Sequence, residues 1–336
     1  MNNCNSIPVS VSALPFNYLK RGQDWTGDAC GSEQSPIDII PANAQPSDET
    51  MKMQVHLTDH LLTGLKVNDN GNTFMVNGDF SKLLATDVDG QTYEFEAVQF
   101  HFHAPTEHTI NGKHFDLELH IVHQMTLESA NKAQTQRNLA VLGIMFELDC
   151  ESHASPHPFI DSLNLQEIGK DFSLNMSDLL GDDLTDKMTY FAYKGSLTTP
   201  PCTESVNWYV LEKPLKITKD QLDLFNSRWK YNPCFAHGFG NNRPVQPLNG
   251  RTVLKSTNCC VMNRSEVSLM KMSLGQEEEE KEGELKQTSV KRRSLDEIEF
   301  MKDLALEDLS FLNPNGKDCS NELIEPNYFI NKTKVI

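Results

Sequence analysis

Short apolar or alternating segments, separated by turn-forming residues, recur along the chain as far as about residue 256. They read LKVNDNGNTFMVNG, YEFEAVQFHFH, DLELHIVHQ, LAVLGIMFEL, YFAYKGSL and VNWYVLE. Alternation with a period of two is typical of half-buried strands, and a short continuous apolar run is typical of a fully buried strand. The chain has 336 residues, which is enough for one large domain with an appendage. The pattern therefore predicts many strands and few helices.

The character of the sequence changes after residue 256. A pair of cysteines is followed by the charged run QEEEEKEGELKQ, which we interpret as a solvated linker or an exposed helical turn. Ser294 and Glu297 then form a capping-box pattern, and the apolar residues after them share one helical face as far as NPNG. A helix is therefore predicted at 295–312. Its apolar face would dock on the main domain or, alternatively, bind a protein partner.

The overall charge limits the kinds of ligand that the chain can bind. A net charge of −17 argues against a nucleic-acid-binding surface, because such a surface needs basic residues to replace the counterions of the phosphates. No apolar run approaches the ~20 residues that a transmembrane helix needs. The segment MNNCNSIPVSVSALPF has neither a basic start nor a long apolar stretch, so no signal peptide is predicted in this chain. A small or neutral ligand fits better than a nucleic acid.

Two of the strand-like segments place histidines on one face. In QFHFH, alternation puts Gln99, His101 and His103 on one side and two phenylalanines on the other. In LELHIVH, Glu118, His120 and Val122 share a face in the same way. If the second strand lies beside the first, three imidazoles come together.

Three nitrogen ligands with a fourth position open to water are typical of a catalytic zinc site, whereas structural zinc sites fill all four positions. An H-x-H pair by itself is also common in ordinary packing. Here a second strand supplies another histidine, and Gln99 and Glu118 each precede a histidine by two residues on the same face. Since metal-binding imidazoles usually donate their other N–H to such groups, the pattern favours Zn²⁺ binding over packing.

Further segments resemble those of a known family, the α-class carbonic anhydrases. They are QSPIDI at 34–39, QFHFHAPTEH at 99–108, LELHIVH at 117–123, LAVLGI at 139–144, GSLTTPPCTESVNW at 195–208 and NRPVQPLNGR at 242–251. The resemblance covers residues 15–256, leaving an N-terminal extension at 1–14 and a C-terminal extension at 257–336. The short loop HAPTEH, with Ala104, is similar to that of bacterial and algal members.

The resemblance implies both a fold and a reaction. The fold would be mostly β (α+β), with a large twisted, mainly antiparallel central sheet and small peripheral helices. The reaction would be the reversible hydration of carbon dioxide to bicarbonate and a proton, by attack of zinc-bound hydroxide. His101, His103 and His120 match the zinc ligands.

The same resemblance assigns roles around the metal. Thr198 matches the threonine that accepts a hydrogen bond from the nucleophile, Glu107 matches the acid that accepts from that threonine, and Thr199 matches the adjacent active-site threonine. Arg243 falls in a motif that supports the site. Five residues match the apolar wall where carbon dioxide rests: Val122, Val141, Leu197, Val206 and Trp208.

The proton relay is the position at which this chain departs from the fastest family members. They carry a histidine in an N-G-H segment, and the matching stretch NDNGNTFMV places Asn72 there, at the expected mouth of the cavity. An amide cannot take up a proton at neutral pH, so proton release would depend on water, on buffer or on another histidine. His56 and His60 are the nearest histidines upstream, and surface positions are the simpler interpretation of both.

Two of the cysteines indicate the cellular compartment in which the protein functions. Cys30 and Cys202 match the positions at which secreted bacterial, algal and some animal members carry a disulfide. This favours an extracellular, secretory or periplasmic location, although no signal peptide is visible in this chain. The alternative function is a non-catalytic, carbonic-anhydrase-like binding or mineral-associated module, which the presence of all three histidines disfavours.

Overall fold

The computed structural model describes residues 16–263, apart from 48–51, 88, 134, 136, 152–153 and 181–185. These residues all belong to one compact unit, Leu14–Val290, and the second unit, Met1–Ala13 with Lys291–Ile336, lies outside them. The predicted linker and the predicted helix at 295–312 also lie outside the described residues. No helix of the described part has the length and apolar character needed to cross a bilayer.

Sixteen strands are present in the described part of the chain. They are β1 (Asp38–Ile39), β2 (Gln45–Pro46), β3 (Lys52–Leu57), β4 (Leu62–Lys66), β5 (Asn68–Asp69), β6 (Phe74–Asn77), β7 (Ser81–Thr86), β8 (Thr92–His103), β9 (Thr109–Ile110), β10 (Leu117–Met125), β11 (Leu139–Leu148), β12 (Asp171–Leu174), β13 (Asp186–Gly195), β14 (Val206–Leu211), β15 (Leu215–Ile217) and β16 (Leu254–Asn263).

Helices are short and peripheral. The α-helices are α1 (Leu127–Lys132), α2 (Pro158–Ser162) and α3 (Lys219–Asn226). Short 3₁₀ turns occur at Gly27–Cys30, Pro41–Asn43, Leu165–Glu167, Met176–Leu179 and Ala236–Gly238. The helix α3 begins with a capping box, in which Thr218 accepts from the N–H of Gln221 and the Gln221 side chain accepts from Thr218 N.

One twelve-stranded sheet dominates the fold, and its main path runs β10-β11-β14-β13-β16-β3-β7-β8-β6-β5. The strand β8 also pairs with β10, so the sheet curls back on itself. Most neighbours are antiparallel, but β11 runs parallel to β14 and β16 runs parallel to β3. The fold is therefore mostly β around a large curled sheet with mainly antiparallel pairing, as predicted.

Alternation along β8 separates the core from the site. Phe100 and Phe102 are almost completely buried and pack against the rings of Phe80, Phe159 and Phe225, with centroid distances of 4.7, 5.5 and 4.9 Å. Each buried aromatic ring removes a large apolar area from water and so anchors this face of the strand. The histidines between these phenylalanines consequently face the opposite side of the sheet.

The last described strand continues beyond residue 256, where the sequence predicts the end of the main domain. The strand β16 pairs with β13 and then, from Cys259 to Asn263, with β3. The sheet thus takes up residues on both sides of the predicted boundary.

Candidate metal centre

Cross-strand register brings the three histidines together. In the antiparallel pair β8–β10, His101 lies opposite His120 and His103 lies opposite Glu118. One ring nitrogen from each histidine lies within 4.8 Å of the other two. The ring centroids of His103 and His120 are 4.7 Å apart. Two adjacent strands therefore hold three imidazoles at the spacing that a single metal ion requires.

Each imidazole uses its other nitrogen for a hydrogen bond. His101 Nδ1 lies 2.8 Å from Gln99 Oε1, His103 Nδ1 lies 2.8 Å from the carbonyl oxygen of Asn241, and His120 Nε2 lies 2.9 Å from Glu118 Oε1. The nitrogens left for a metal are Nε2 of His101, Nε2 of His103 and Nδ1 of His120. His103 Nε2 is buried and has no hydrogen-bond partner among the described residues. A buried, unpaired ring nitrogen inside this cluster fits a metal ligand.

Burial keeps these rings neutral. It lowers the pKa of His103 to about 4 and that of His120 below its ordinary value, despite the carboxylate of Glu118 beside His120. Burial and then the two neighbouring imidazoles hold the pKa of His101 well below its usual range. A neutral imidazole is the form that binds a metal ion, so the site needs no proton release from these rings at neutral pH.

The carboxylate of Glu118 organises the deepest part of the site. Its Oε2 accepts from the backbone N–H groups of Glu107 and His108, at 2.8 and 2.9 Å. Its Oε1 accepts from the ring nitrogens His108 Nδ1 and His120 Nε2, at 2.7 and 2.9 Å. Burial alone raises the pKa of a carboxyl group, but His108 and His120 outweigh it and hold the pKa of Glu118 well below its usual value. Glu118 is therefore an ionised acceptor of four hydrogen bonds.

Since an ionised carboxylate only accepts, the ring protons in this network are fixed. His108 donates through Nδ1 to Glu118, and its Nε2 lies 2.6 Å from the hydroxyl of Tyr193, which donates to Ser35 Oγ at 2.9 Å. His120 donates through Nε2, so its Nδ1 carries a free lone pair. Opposite His120 lies Gly143, where an added Cβ would come within 3.2 Å of Glu118 Oε1. The glycine leaves room for the carboxylate.

Glu107 is a second buried carboxyl group, in a different environment. Its Oε1 accepts from the backbone N–H of Arg243 at 2.8 Å, and its Oε2 is buried without a hydrogen bond among the described residues. Burial raises the pKa of Glu107 to about 7, whereas His120 and the hydroxyl of Thr198 lower it. Thr198 is only 5% exposed, and its hydroxyl lies close enough to Glu107 to lower the pKa of that carboxyl group.

The turn that carries Thr198 is closed by two backbone hydrogen bonds. Cys202 N–H donates to the carbonyl of Thr199 at 2.8 Å, and Leu197 N–H donates to the carbonyl of Thr203 at 3.0 Å. Cys202 adopts a positive φ of 62°, which few residues other than glycine adopt without strain. Thr199 and Leu197 are half-buried beside Thr198.

An apolar row runs across the sheet beside the histidines. Gln99 lies opposite Val122, Val122 opposite Val141, and Val141 opposite Trp208. The Trp208 ring packs on His120 with centroids 4.8 Å apart. Val206 begins the strand that carries Trp208 and is fully buried. The predicted wall residues therefore lie next to the histidine cluster, with Leu197 on the neighbouring turn.

Asn72 is more deeply buried than a residue at the predicted mouth of the cavity would be. Its side chain is 5% exposed, and Nδ2 donates to the carbonyl of Phe16 at 3.5 Å. Its own carbonyl accepts from Asn241 Nδ2 at 2.8 Å. This arrangement differs from a side chain at an open mouth, because the amide is buried and bonded to the backbone of the N-terminal segment at Phe16. His56 is buried on β3 and His60 lies in the exposed turn after it, and neither belongs to the histidine cluster.

The predicted disulfide between Cys30 and Cys202 is not formed in the structure. Both residues are free thiols, with Cys30 exposed and Cys202 buried in its turn. The two segments nevertheless lie side by side, because Gln34 Nε2 is 2.8 Å from the carbonyl of Asp28 and 3.0 Å from that of Cys202.

Three residues that contribute to the site were not identified from the sequence. His108 stands in the HAPTEH loop and links Glu118 to Tyr193. Asn241 binds His103 through its backbone carbonyl, and any residue type carries that group, so no sequence signal could reveal it. Gln34, in the QSPIDI segment, joins Arg243 to the turn of Cys202, and only the motif itself pointed to this position.

The comparisons with known proteins all indicate the same family. The family model described as eukaryotic-type carbonic anhydrase matches residues 20–257. Carbonic anhydrase 4 of Rattus norvegicus is 31% identical over 263 residues, which cover 72% of this chain and 81% of that protein. A carbonic anhydrase of Klebsiella pneumoniae is 32% identical over 260 residues, which cover 74% of this chain and 94% of that protein.

A solved structure agrees with these relatives. The crystal structure of a halotolerant carbonic anhydrase from Dunaliella salina is similar to this chain with a TM-score of 0.55 and 29% identity. The similarity covers 72% of this chain and 97% of that one.

Proposed function

Because the chain belongs to the eukaryotic-type carbonic anhydrase family and is an enzyme of that kind, we propose that it hydrates carbon dioxide reversibly at a zinc ion held by His101, His103 and His120. One observation carries the proposal. Three neutral imidazoles each use one nitrogen for an outer hydrogen bond and direct the other toward a common point.

The donor set fits zinc. Three imidazole nitrogens without a thiolate are the ligands of catalytic zinc sites, and the unpaired Nε2 of His103 needs such a partner. When bound there, zinc would make water nucleophilic at neutral pH by lowering its pKa from ~16 to ~7, a magnitude known for carbonic anhydrase itself.

The residues around the histidines would orient the nucleophile. The Thr198 hydroxyl faces Glu107, and Glu107 is held by the backbone N–H of Arg243. With its proton donated to Glu107, Thr198 can only accept, so it would receive a hydrogen bond from the attacking oxygen and direct a lone pair at the substrate. The contribution of this pair is orientation rather than proton removal.

Carbon dioxide would rest against the apolar row. It is uncharged and weakly polar, so it gains little from hydrogen-bond donors and is best placed on apolar side chains. Val122, Val141 and Trp208 lie in one cross-strand row next to His120. Val206 and Leu197 extend this surface toward the turn of Thr198. A substrate on this wall would lie between the histidines and the orienting threonine.

We further infer that the enzyme works in an oxidising compartment, where Cys30 and Cys202 would be joined. The contacts of Gln34 with both segments support this inference. Such a bond would close a long loop next to Thr198 and stabilise the fold by about 2–4 kcal/mol. Mass spectrometry of the natural protein under non-reducing conditions tests it, and free thiols at both positions would refute it.

A matched pair of histidine variants tests the zinc assignment. His103, on β8, is 1% exposed. His123 lies on β10, on the face opposite to His120, and is fully buried. His103→Ala should lose most bound zinc and most carbon dioxide hydration, whereas His123→Ala should retain both if it folds. Zinc is measured by metal analysis and hydration by a pH indicator. Stoichiometric zinc and normal turnover in His103→Ala would show that other residues bind the metal.

A further inference from the structure

A single buried amide connects the two parts of the orienting pair. Gln34 is 2% exposed, and its Oε1 accepts from the guanidinium of Arg243 at 2.8 Å. Its Nε2 donates to the carbonyl of Cys202 at 3.0 Å and also reaches Glu204 Oε1 and the carbonyl of Asp28. Gln34 therefore accepts on one side and donates on the other.

The two partners lead to the two halves of the catalytic pair. Arg243 donates its backbone N–H to Glu107 at 2.8 Å. Cys202 closes the turn of Thr198 through its N–H bond to Thr199. The connection thus runs from the Glu107 carboxylate, through Arg243 and Gln34, to the turn that holds the Thr198 hydroxyl.

We propose that Gln34 is a positioning residue that holds the Thr198 turn at its working distance from Glu107. The proposal rests on the function proposed above, because it assigns Thr198 its orienting role. A side-chain amide can accept from a guanidinium through its oxygen and donate to a carbonyl through its nitrogen at the same time. A carboxylate cannot donate, and an apolar side chain can do neither.

The chain contains a matched control for a purely structural role. Gln221 is 4% exposed and also makes several hydrogen bonds, accepting from His157 N and donating to His157 O and Asp161 Oδ1. It lies on α3 and has no contact with the cluster of His101, His103 and His120 among its hydrogen bonds. Gln221→Leu therefore removes a comparable buried amide without touching the orienting pair.

The first measurement is a double-mutant cycle on hydration, with kcat/KM expressed per bound zinc. Gln34→Leu should lower this value about tenfold in the wild-type background, because Thr198 loses its fixed position. In the Thr198→Ala background the same change should lower it less than about twofold, since the group that it positions is already absent. Gln221→Leu should leave the value unchanged in both backgrounds.

The second measurement does not depend on zinc. Cys202 is fully buried, and burial raises the pKa of its thiol to about 11, so the reduced wild-type protein should react slowly with iodoacetamide at this position. Peptide mass spectrometry should show labelling of Cys202 at least about tenfold faster in Gln34→Leu, because the turn has lost its anchor. Gln221→Leu should label like the wild type.

Gln34→Glu covers the case in which Gln34→Leu does not fold. The carboxylate keeps the contact with Arg243 and loses the donor to Cys202, so both measurements should change as for leucine. The proposal is overturned if the glutamate or leucine variant matches Gln221→Leu, if its loss is additive with that of Thr198→Ala, or if Cys202 stays protected. A wild-type protein that binds no zinc and hydrates no carbon dioxide would instead refute the proposed function, and the labelling result would still decide whether Gln34 holds the turn.

Discussion

Replacing Glu118 by glutamine keeps the size of a buried side chain and removes its charge. Each carboxylate oxygen accepts two hydrogen bonds, Oε2 from the backbone of Glu107 and His108, and Oε1 from the rings of His108 and His120. Either orientation of the new amide points its NH₂ group at two donors. Two buried N–H groups without an acceptor would lower the free energy of unfolding by about 2–6 kcal/mol in total.

The chain can relieve this conflict only by moving ring protons. With the amide nitrogen in the place of Oε1, His108 and His120 must accept instead of donate. His108 can do so without loss, because its Nε2–H then donates to the hydroxyl of Tyr193. His120, however, moves its proton to Nδ1, the nitrogen that faces the other two histidines. A protonated nitrogen cannot bind a metal, so we expect zinc affinity to fall about 10- to 100-fold.

Competition with a chromophoric chelator measures this affinity, and thermal unfolding of the metal-free protein measures the stability. Glu147→Gln is the matched control, since Glu147 lies on the neighbouring strand β11, is 29% exposed and pairs with Lys216. This control should bind zinc like the wild type. If Glu118→Gln also does so, the proton positions assigned to this network are wrong.

Three further predictions concern single side chains. Thr198→Ala should keep zinc and lower kcat/KM for hydration about 100-fold, whereas Thr203→Ala in the same turn should not. Burial lowers the pKa of His123 from 6.5 to about 4. As the pH falls, His123 is therefore protonated in the unfolded chain before it is protonated in the folded one. About 3 kcal/mol of folding stability that is present above pH 6.5 should be lost as the pH falls toward 4. Urea unfolding should show a flatter pH dependence for His123→Gln but not for His60→Gln. Turnover should rise with the concentration of imidazole-type buffer, because the amide of Asn72 takes up no proton and is buried against Phe16. No dependence on buffer would point to a relay not identified here.

Strand alternation was sufficient to identify the faces of the site. The period of two places Gln99, His101 and His103 on one side of β8, and Glu118, His120 and Val122 on one side of β10, as in the structure. Alternation does not determine how two strands are paired, because a shift by two residues keeps every face. The resemblance to the carbonic anhydrases supplied the family, and the comparisons confirm it.

Contacts made by the backbone or across long sequence distances were not predictable in this way. The partner of His103 is a carbonyl 138 positions away, and Gln34 meets Cys202 across 168 positions. The buried position of Asn72 depends on the packing of Phe16, 56 positions before it in the sequence. None of these contacts leaves a periodic pattern, since each depends on how distant loops pack against the sheet.

The two buried carboxyl groups of the site differ in the number of hydrogen bonds that they accept and therefore in how readily they are protonated. Both are completely buried, yet Glu118 accepts four hydrogen bonds whereas Glu107 accepts one from Arg243. Donors therefore hold the pKa of Glu118 well below its usual value, while burial raises that of Glu107 to about 7. A nearby divalent cation favours the ionised form of a carboxyl group, so metal binding would strengthen Glu107 as an acceptor for the Thr198 hydroxyl. Orientation of the nucleophile and loading of the metal would then be coupled through Glu107, while Glu118 keeps the proton of His120 in place in either state.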